Sequence, residues 1–299
     1  MKKAIFFLAI AALFVFSCKR EQAVSKPAGK RYMVSYNLSD FTKGQSVFAV
    51  RHSARTLASD SVNASDALDL LYYIVYDNGG HAVNAPLVQD STMNNMGMIA
   101  DSLPSGTYTV VFIGGKKGLT LNNYGVITGA GFGYPGSKWQ DTFWDSFSLT
   151  VDNNNVSKDV TLCRVVGKLE LQLLDNIPTN ADSLVMTINP EAQYMSNNGG
   201  QPQGQQMVTY SMAIPAGAKG HSNFIMDRLI GNTATPFIVS IKCKDSGNNV
   251  IASATASSVS VHANMKTILS GNLFATGPAS QNFTIKADTA WGGSANYSF

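Results

Sequence analysis

The sequence predicts an all-β protein, two β-sandwiches in tandem after a lipoprotein signal and a short tether. Three observations predict it. Only 14% of the 299 residues are charged, against about 25% in an ordinary soluble domain. Yet 44% are hydrophobic, enough to build a core and to exclude disorder. Of the 19 acidic residues, three are Glu (Glu21, Glu170, Glu191) and the rest are Asp. Glu favours helices, whereas Asp favours turns and caps, so helical bundles, coiled coils and large α/β enzymes fit poorly. Finally, short apolar or alternating runs are closed by turn signals about every 8–12 residues, the spacing of sandwiches. The length allows about two domains.

Met1-Lys2-Lys3 is a basic n-region and Ala4 to Phe16 an apolar h-region. That run is shorter than the roughly 20 residues a membrane-spanning helix needs, and Lys19-Arg20 ends it, so it reads as a secretory signal. Val15-Phe16-Ser17-Cys18 resembles a lipoprotein box, although Phe16 is bulky for its position. The Cys18 thiol accepts a diacylglyceryl group, cleavage frees its amine, and further acylation (palmitate, for example) makes the anchoring stable. Lys19 in place of Asp resembles an outer-membrane sorting choice. Residues 18–31, with Pro27 and Gly29, read as the lipidated Cys and its tether. Losing Lys2 and Lys3 with the leader lowers the formal charge from +3 to +1. Lys19, Arg20, Lys26, Lys30 and Arg31 form the densest basic cluster, interrupted and inside the tether. A chain so nearly neutral lacks the field that nucleic-acid binding needs, so no nucleic-acid partner is expected.

The first sandwich is assigned to residues 32–158. Tyr32 to Leu38 alternates weakly. Leu70 to Tyr76 is a continuous apolar and aromatic run, closed by Asp77-Asn78-Gly79-Gly80, a hairpin signal with His81 to Val88 returning. Leu103-Pro104-Ser105-Gly106 turns into Thr107 to Ile113, a β-branched and aromatic strand. Residues 114–138 are glycine-rich and read as a long loop. Phe143 to Val151 is a strand ending at Asp152-Asn153-Asn154-Asn155.

The second sandwich is assigned to residues 159–299. Leu169, Leu171 and Leu173 alternate with Lys168, Glu170 and Gln172, a half-buried strand. Val160 and Leu162 hold the opposite parity, so a bulge or domain change is expected near 163–167. Ser183 to Ile188, Val208 to Ile214 and Phe237 to Cys243 are further strands. Asp245 to Asn249 turns, and Val250 to Val261 returns as an edge strand. Cys163 and Cys243 both share parity with apolar neighbours, which leaves two buried thiols or one disulfide open.

Chemistry is sparse. Gly131 to Gly136 spells a dinucleotide fingerprint, but Pro135 and the aromatics break the helix it requires. Gly114 to Thr120 is not a phosphate loop. His52, His81, His221 and His262 are too scattered for ligand spacing. Asp152 to Asp159 lacks the Gly and terminal Glu of a calcium loop. Hence no enzyme activity, cofactor or metal is expected. Eight of the sixteen Asp precede Ser or Thr. At Ser61, Ser91, Ser102, Ser183 and Thr289 the third residue is Val, Thr, Leu or Ala. These look like short O-glycosylation acceptors of Bacteroidetes envelope proteins, or like simple turn and strand starts.

Several segments together resemble the FimB-type fimbrial anchor and minor-subunit lipoproteins, relatives of the fimbrillins of Bacteroidetes type V pili. They are the box at Cys18, LLYYIVYDNGG (70–80), LPSGTYTVVFIGG (103–115), VTLCRVVGKLELQLLDNIP (160–178) and FTIKADTAWGG (283–293). The resemblance implies transthyretin-like sandwiches and a role as fimbrial anchor or accessory subunit. Its partners would be fimbrial subunits, met through strand edges by β-augmentation. Stalk subunits of that kind lose a leading strand by cleavage after an Arg, and Arg51 and Arg55 lie in a suitable stretch. An uncut strand suits an anchor or tip. The competing reading is a surface glycan-binding lipoprotein, with Tyr134, Trp139 and Trp144 stacking on sugars unless they pack in the core.

Overall fold

The continuous apolar runs of the first half become strands buried on both faces. The structure, a computed structural model, describes residues 29–38, 64–275 and 283–288. Cys18, Arg51, Arg55, Ser61 and Thr289 lie outside the described residues.

The first half contributes β1 (Arg31–Asn37), one helical turn α1 (Ala64–Ala67), β2 (Leu70–Tyr76), β3 (Leu87–Asp90), β4 (Met98–Pro104) and β5 (Gly106–Gly115). There follow β6 (Thr120–Asn122), β7 (Gly131–Gly133), β8 (Thr142–Val151), β9 (Val156–Asp159) and β10 (Cys163–Arg164). A three-stranded sheet β4-β1-β9 faces a five-stranded sheet β10-β8-β5-β2-β3. Between them pack Val34 and Tyr36 of β1, Leu71 and Tyr73 of β2, and Val110 and Phe112 of β5. The intervening residues Ile74, Tyr76, Val111 and Ile113 point to the other side of the same sheet and enter a separate core. A strand covered on both faces has no wet face, so it reads as an unbroken apolar run.

The second half contributes β11 (Gly167–Leu173), β12 (Ala181–Ser196), β13 (Pro202–Ala213), β14 (Phe224–Ile230), β15 (Phe237–Asp245), β16 (Val250–Val259), β17 (Lys266–Gly271) and β18 (Phe283–Asp288). The sheet β14-β11-β17-β18 packs on the sheet that contains β16, β15, β12 and β13. Leu169, Leu171 and Leu173 face this core with no exposure. On the opposite face Glu170 is buried too, beside Lys266 at 3.7 Å and accepting a 2.7 Å hydrogen bond from Gln172 Nε2. The expected change of parity falls where the chain passes from β10 in one sheet to β11 in another. β16 forms a sheet edge, as its small polar residues suggest.

Three expectations are corrected. The glycine-rich stretch 114–138 is not an open loop: β6 and β7 form a hairpin that joins the second-half sheet through Met195↔Phe132 and Ser196↔Gly131. Gly131 permits this approach, because a Cβ there would lie 2.5 Å from the Tyr194 ring and 2.8 Å from the Met195 carbonyl. The hairpin after Tyr76 does turn at Asp77, whose Oδ1 accepts the Gly79 and His81 amides at 2.9 Å. Ala82 then pairs with Tyr76 as expected, but continuous pairing to β2 resumes only at Leu87, and His81 also bridges to Val126. Cys163 is exposed, opposite Trp144 of β8, rather than buried like Cys243. Both cysteines are free thiols in different sheets, so they are not brought together as a disulfide. Burial pushes the Cys243 thiol up to about 11.

Candidate partner-binding edges and the joint between the sheets

Two regions carry candidate function: the strand edges and the joint where the two halves meet. β1 is the central strand of its sheet. It pairs antiparallel with β4 from Arg31↔Pro104 to Asn37↔Met98, and parallel with β9 from Val34↔Val156 to Asn37↔Asp159. Its alternating residues Tyr32, Val34 and Tyr36 are buried, as a strand with one core-facing side requires. Along Arg31 to Met33, where β9 has not yet begun, the Asn153–Asn155 turn takes over. Tyr32 OH donates to Asn153 Oδ1 at 2.8 Å, and the Met33 amide to Asn155 Oδ1 at 2.9 Å. Beside it lies an open groove of about 630 Å³, lined by Arg31, Met33, Ala100, Asp101, Ser102 and Asn155. The Asn-rich run is thus a turn whose side chains finish a sheet edge.

The joint is built on a core of its own, drawn from β2, β5, β7, the 134–139 segment, residues 165–166 and β12. Arg164 is buried and meets buried Asp141 with Nε–Oδ1 at 2.6 Å and Nη2–Oδ2 at 3.1 Å, a two-pronged pair. Its Nη1 donates at 2.7 Å to Asn264 Oδ1, in the turn before β17. Asn197, after β12, donates to Tyr76 OH at 2.9 Å and accepts from Trp144 Nε1 at 3.3 Å. Glu191 sits where the β12–β13 register shifts, without exposure. Its Oε1 accepts the amides of Ala192, Gly231 and Asn232, each at 3.0 Å, while Oε2 has no hydrogen-bond partner among the described residues. Burial outweighs those three donors and pushes the Glu191 carboxyl up to about 7.

The three aromatic candidates for sugar stacking belong to this joint. Trp139 and Tyr134 are each 5% exposed and meet edge to face at 6.1 Å. Trp139 Nε1 donates to the Ala192 carbonyl at 3.0 Å, and its ring presses on Gly231, where no Cβ would fit. Trp144 is half-buried, and a Cβ on Gly200 would lie 3.0 Å from its ring. A sugar needs an open ring face, and at Trp139 and Tyr134 core packing has covered it.

Ser91 is exposed in the turn after β3, where Asp90 Oδ1 accepts the Thr92 amide at 2.9 Å. The Thr92 hydroxyl and amide hold the Asp90 carboxyl below its ordinary value. Ser102 is half-buried in β4, with Arg31 Nε 3.3 Å from its Oγ, and Ser183 is half-buried in β12 between β13 and β15. Among the described residues no group of three His, Cys, Asp or Glu could hold a metal ion. Sequence reasoning missed Asp141, Arg164 and Glu191. A signal existed, since a rare Glu and an Arg set between Leu162 and Val165-Val166 are uncommon in a charge-poor chain.

No protein-family profile matches the chain, and no curated protein matches it in sequence. Solved structures do share its fold. A candidate polysaccharide-binding protein of Bacteroides thetaiotaomicron matches with TM-score 0.57 and 9% identity, over 87% of this chain and 96% of its own. A candidate adhesin of the same organism matches with TM-score 0.54 and 12% identity, over 87% and 96%. The fimbrial anchor protein Mfa2 of Porphyromonas gingivalis matches with TM-score 0.54 and 10% identity, over 88% and 98%.

Proposed function

We propose that this chain is a lipid-anchored outer-membrane structural protein, a fimbrial anchor or accessory subunit that meets its partners through β-strand edges. In this reading residues 1–17 are a signal peptide, Cys18 carries the lipid, and two sandwiches follow, the first running from residue 32 through β10 and the second from β11 onward, with β6 and β7 added to the second one's sheet. The observation that carries it is β1. The strand lies in the middle of its sheet, with Val34 unexposed and Tyr36 packed 5.3 Å from the Phe112 ring. A subunit whose leading strand fills its own groove ends or anchors a fibre, because no groove is left for the next subunit's strand. The fold shared with an anchor protein supports the same role.

The glycan-binding alternative loses two of its three rings to the joint core, which favours the structural role. Deleting the chain tests that role. Fibres should then change in length, detach or go unassembled, and native fibres should contain the chain. Fibres that lack it and are unchanged by its deletion would refute the proposal. For the lipid, palmitate labelling should vanish in Cys18→Ala. Among the described acceptors, Ser91 is the one whose hydroxyl stands free of a strand. Intact mass of the native protein should therefore show a glycan that Ser91→Ala removes; a mass equal to the lipidated polypeptide alone would exclude any glycan.

A further inference from the structure

We infer that β13 is a self-pairing edge that joins two copies of this chain into one continuous sheet. From Ala192 to Ala218 the sequence has no Asp, Glu, Lys, Arg or His, the longest such run in the chain. The structure places β13 inside this run. Among the described residues it hydrogen-bonds to no strand but β12, along its whole length from Ser183↔Ala213 to Met195↔Pro202. Its other side therefore presents a row of unpaired N–H and C=O groups.

Natural edges are blunted by charge, brevity or bulges, and most edges here follow that rule. β4 carries Asp101, β9 Lys158 and Asp159, β14 Asp227 and Arg228, and β18 Lys286. β3 has four residues and ends on Asp90. β16 lacks charge, but its pairing with β15 is interrupted at two places, Phe237/Val239 and Cys243/Lys244. β13 has one such shift, between its Gln206 and Val208, but from Val208 to Ala213 it pairs without a break, and its exposed positions Gln205, Met207, Thr209, Ser211 and Ala213 alternate regularly.

The occupant follows from the missing charge. A foreign strand tolerates a charge on this edge by offering the opposite one. A second copy brings the same strand, so a charge on the axis would face its own copy and any other would need its opposite at the symmetry-related position; an edge without charge meets neither restriction. Centred on Thr209, the pairing places Thr209 opposite Thr209, Met207 opposite Ser211 and Gln205 opposite Ala213. Thr–Thr pairs already suit this face: Thr187 and Thr209 hydroxyls lie 3.0 Å apart across the β12–β13 ladder. On the inner face Tyr210, under Arg228 at 5.6 Å, continues the core toward the new seam. The contact is one strand wide and about 30 Å long, which suits a weak, concentration-dependent dimer.

This interface stands apart from the fimbrial role and the lipid, so its failure leaves that proposal untouched. The test is sedimentation of the full chain in mild detergent over a wide concentration range, with amide exchange measured at both ends. A dimer should form as concentration rises, with exchange slowing across Gln205–Ala213. Thr209→Lys should weaken it by about tenfold or more, while Ser253→Lys, on the exposed face of β16, should not. Three results would overturn the inference: a monomer at every concentration, a dimer whose β13 amides exchange unchanged, or protection of β13 that appears only when a fimbrial subunit is added. Wild-type exchange decides the matter even where the lysine variant fails to fold.

Discussion

Glu191 shows how one residue can set the pH response of this molecule. Its carboxyl is pushed from the ordinary 4.5 to about 7 by burial. A folded value above the unfolded one means that the native state holds the proton more tightly. The stabilisation is complete below about 4.5 and is lost as pH rises through about 7. The chain should thus lose stability between pH 5 and 8, by about 3 kcal/mol at most. Glu191→Gln, which keeps an acceptor for the three amides, should remove that slope. Urea denaturation midpoints of the two proteins against pH check this, and parallel curves would refute it. Arg164 makes a different prediction. Replacing it with Met leaves Asp141 buried and unpaired, at a cost of about 3–5 kcal/mol, much of which Asp141→Leu should restore. Rarity in a charge-poor chain marked both residues in the sequence, but not their roles, because a charge is read as surface until its burial is seen.

At the scale of elements, most strands were legible where their periodicity was strong. β11 alternates because one face is wetter than the other, and β2 and β5 run continuously because both faces are covered. Their ends were less legible. The return of the hairpin is interrupted before Leu87: Ala82 still pairs with Tyr76, but His81 also bridges to Val126, far along the chain. β6 and β7 were hidden by glycine, which usually marks loops but here lets a strand lie against Tyr194 without a clash. For β1 the prediction concerns burial. Tyr36 meets the rings of Tyr73, Phe112 and Phe147 at 5.4, 5.3 and 5.9 Å. Tyr36→Ala should cost about 3–5 kcal/mol, as a large aromatic lost from a core does. Thermal melts should show it, and a loss below about 1 kcal/mol would mean that β1 is not held as described.

At the scale of the whole molecule, the joint decides whether two sandwiches behave as two domains or as one body. A shared core, the Arg164–Asn264 bond and the Asn197–Tyr76 bond all cross it. Calorimetry should give one cooperative transition whose calorimetric and van't Hoff enthalpies agree. Trp139→Ala, which empties the centre of the joint, should separate the halves into two transitions. Two transitions in the unaltered chain would show that the joint does not couple them. The sequence by itself determined the all-β class, the order of most strands and the scarcity of charge. Local periodicity and turn chemistry act between near neighbours, so they leave their mark in the chain. Only the tertiary structure decided that the aromatics Trp139 and Tyr134 are core, that the cysteines stay apart, and that a glycine-rich stretch becomes two strands. Those outcomes depend on contacts between residues far apart in sequence, for which a single chain carries no periodic sign.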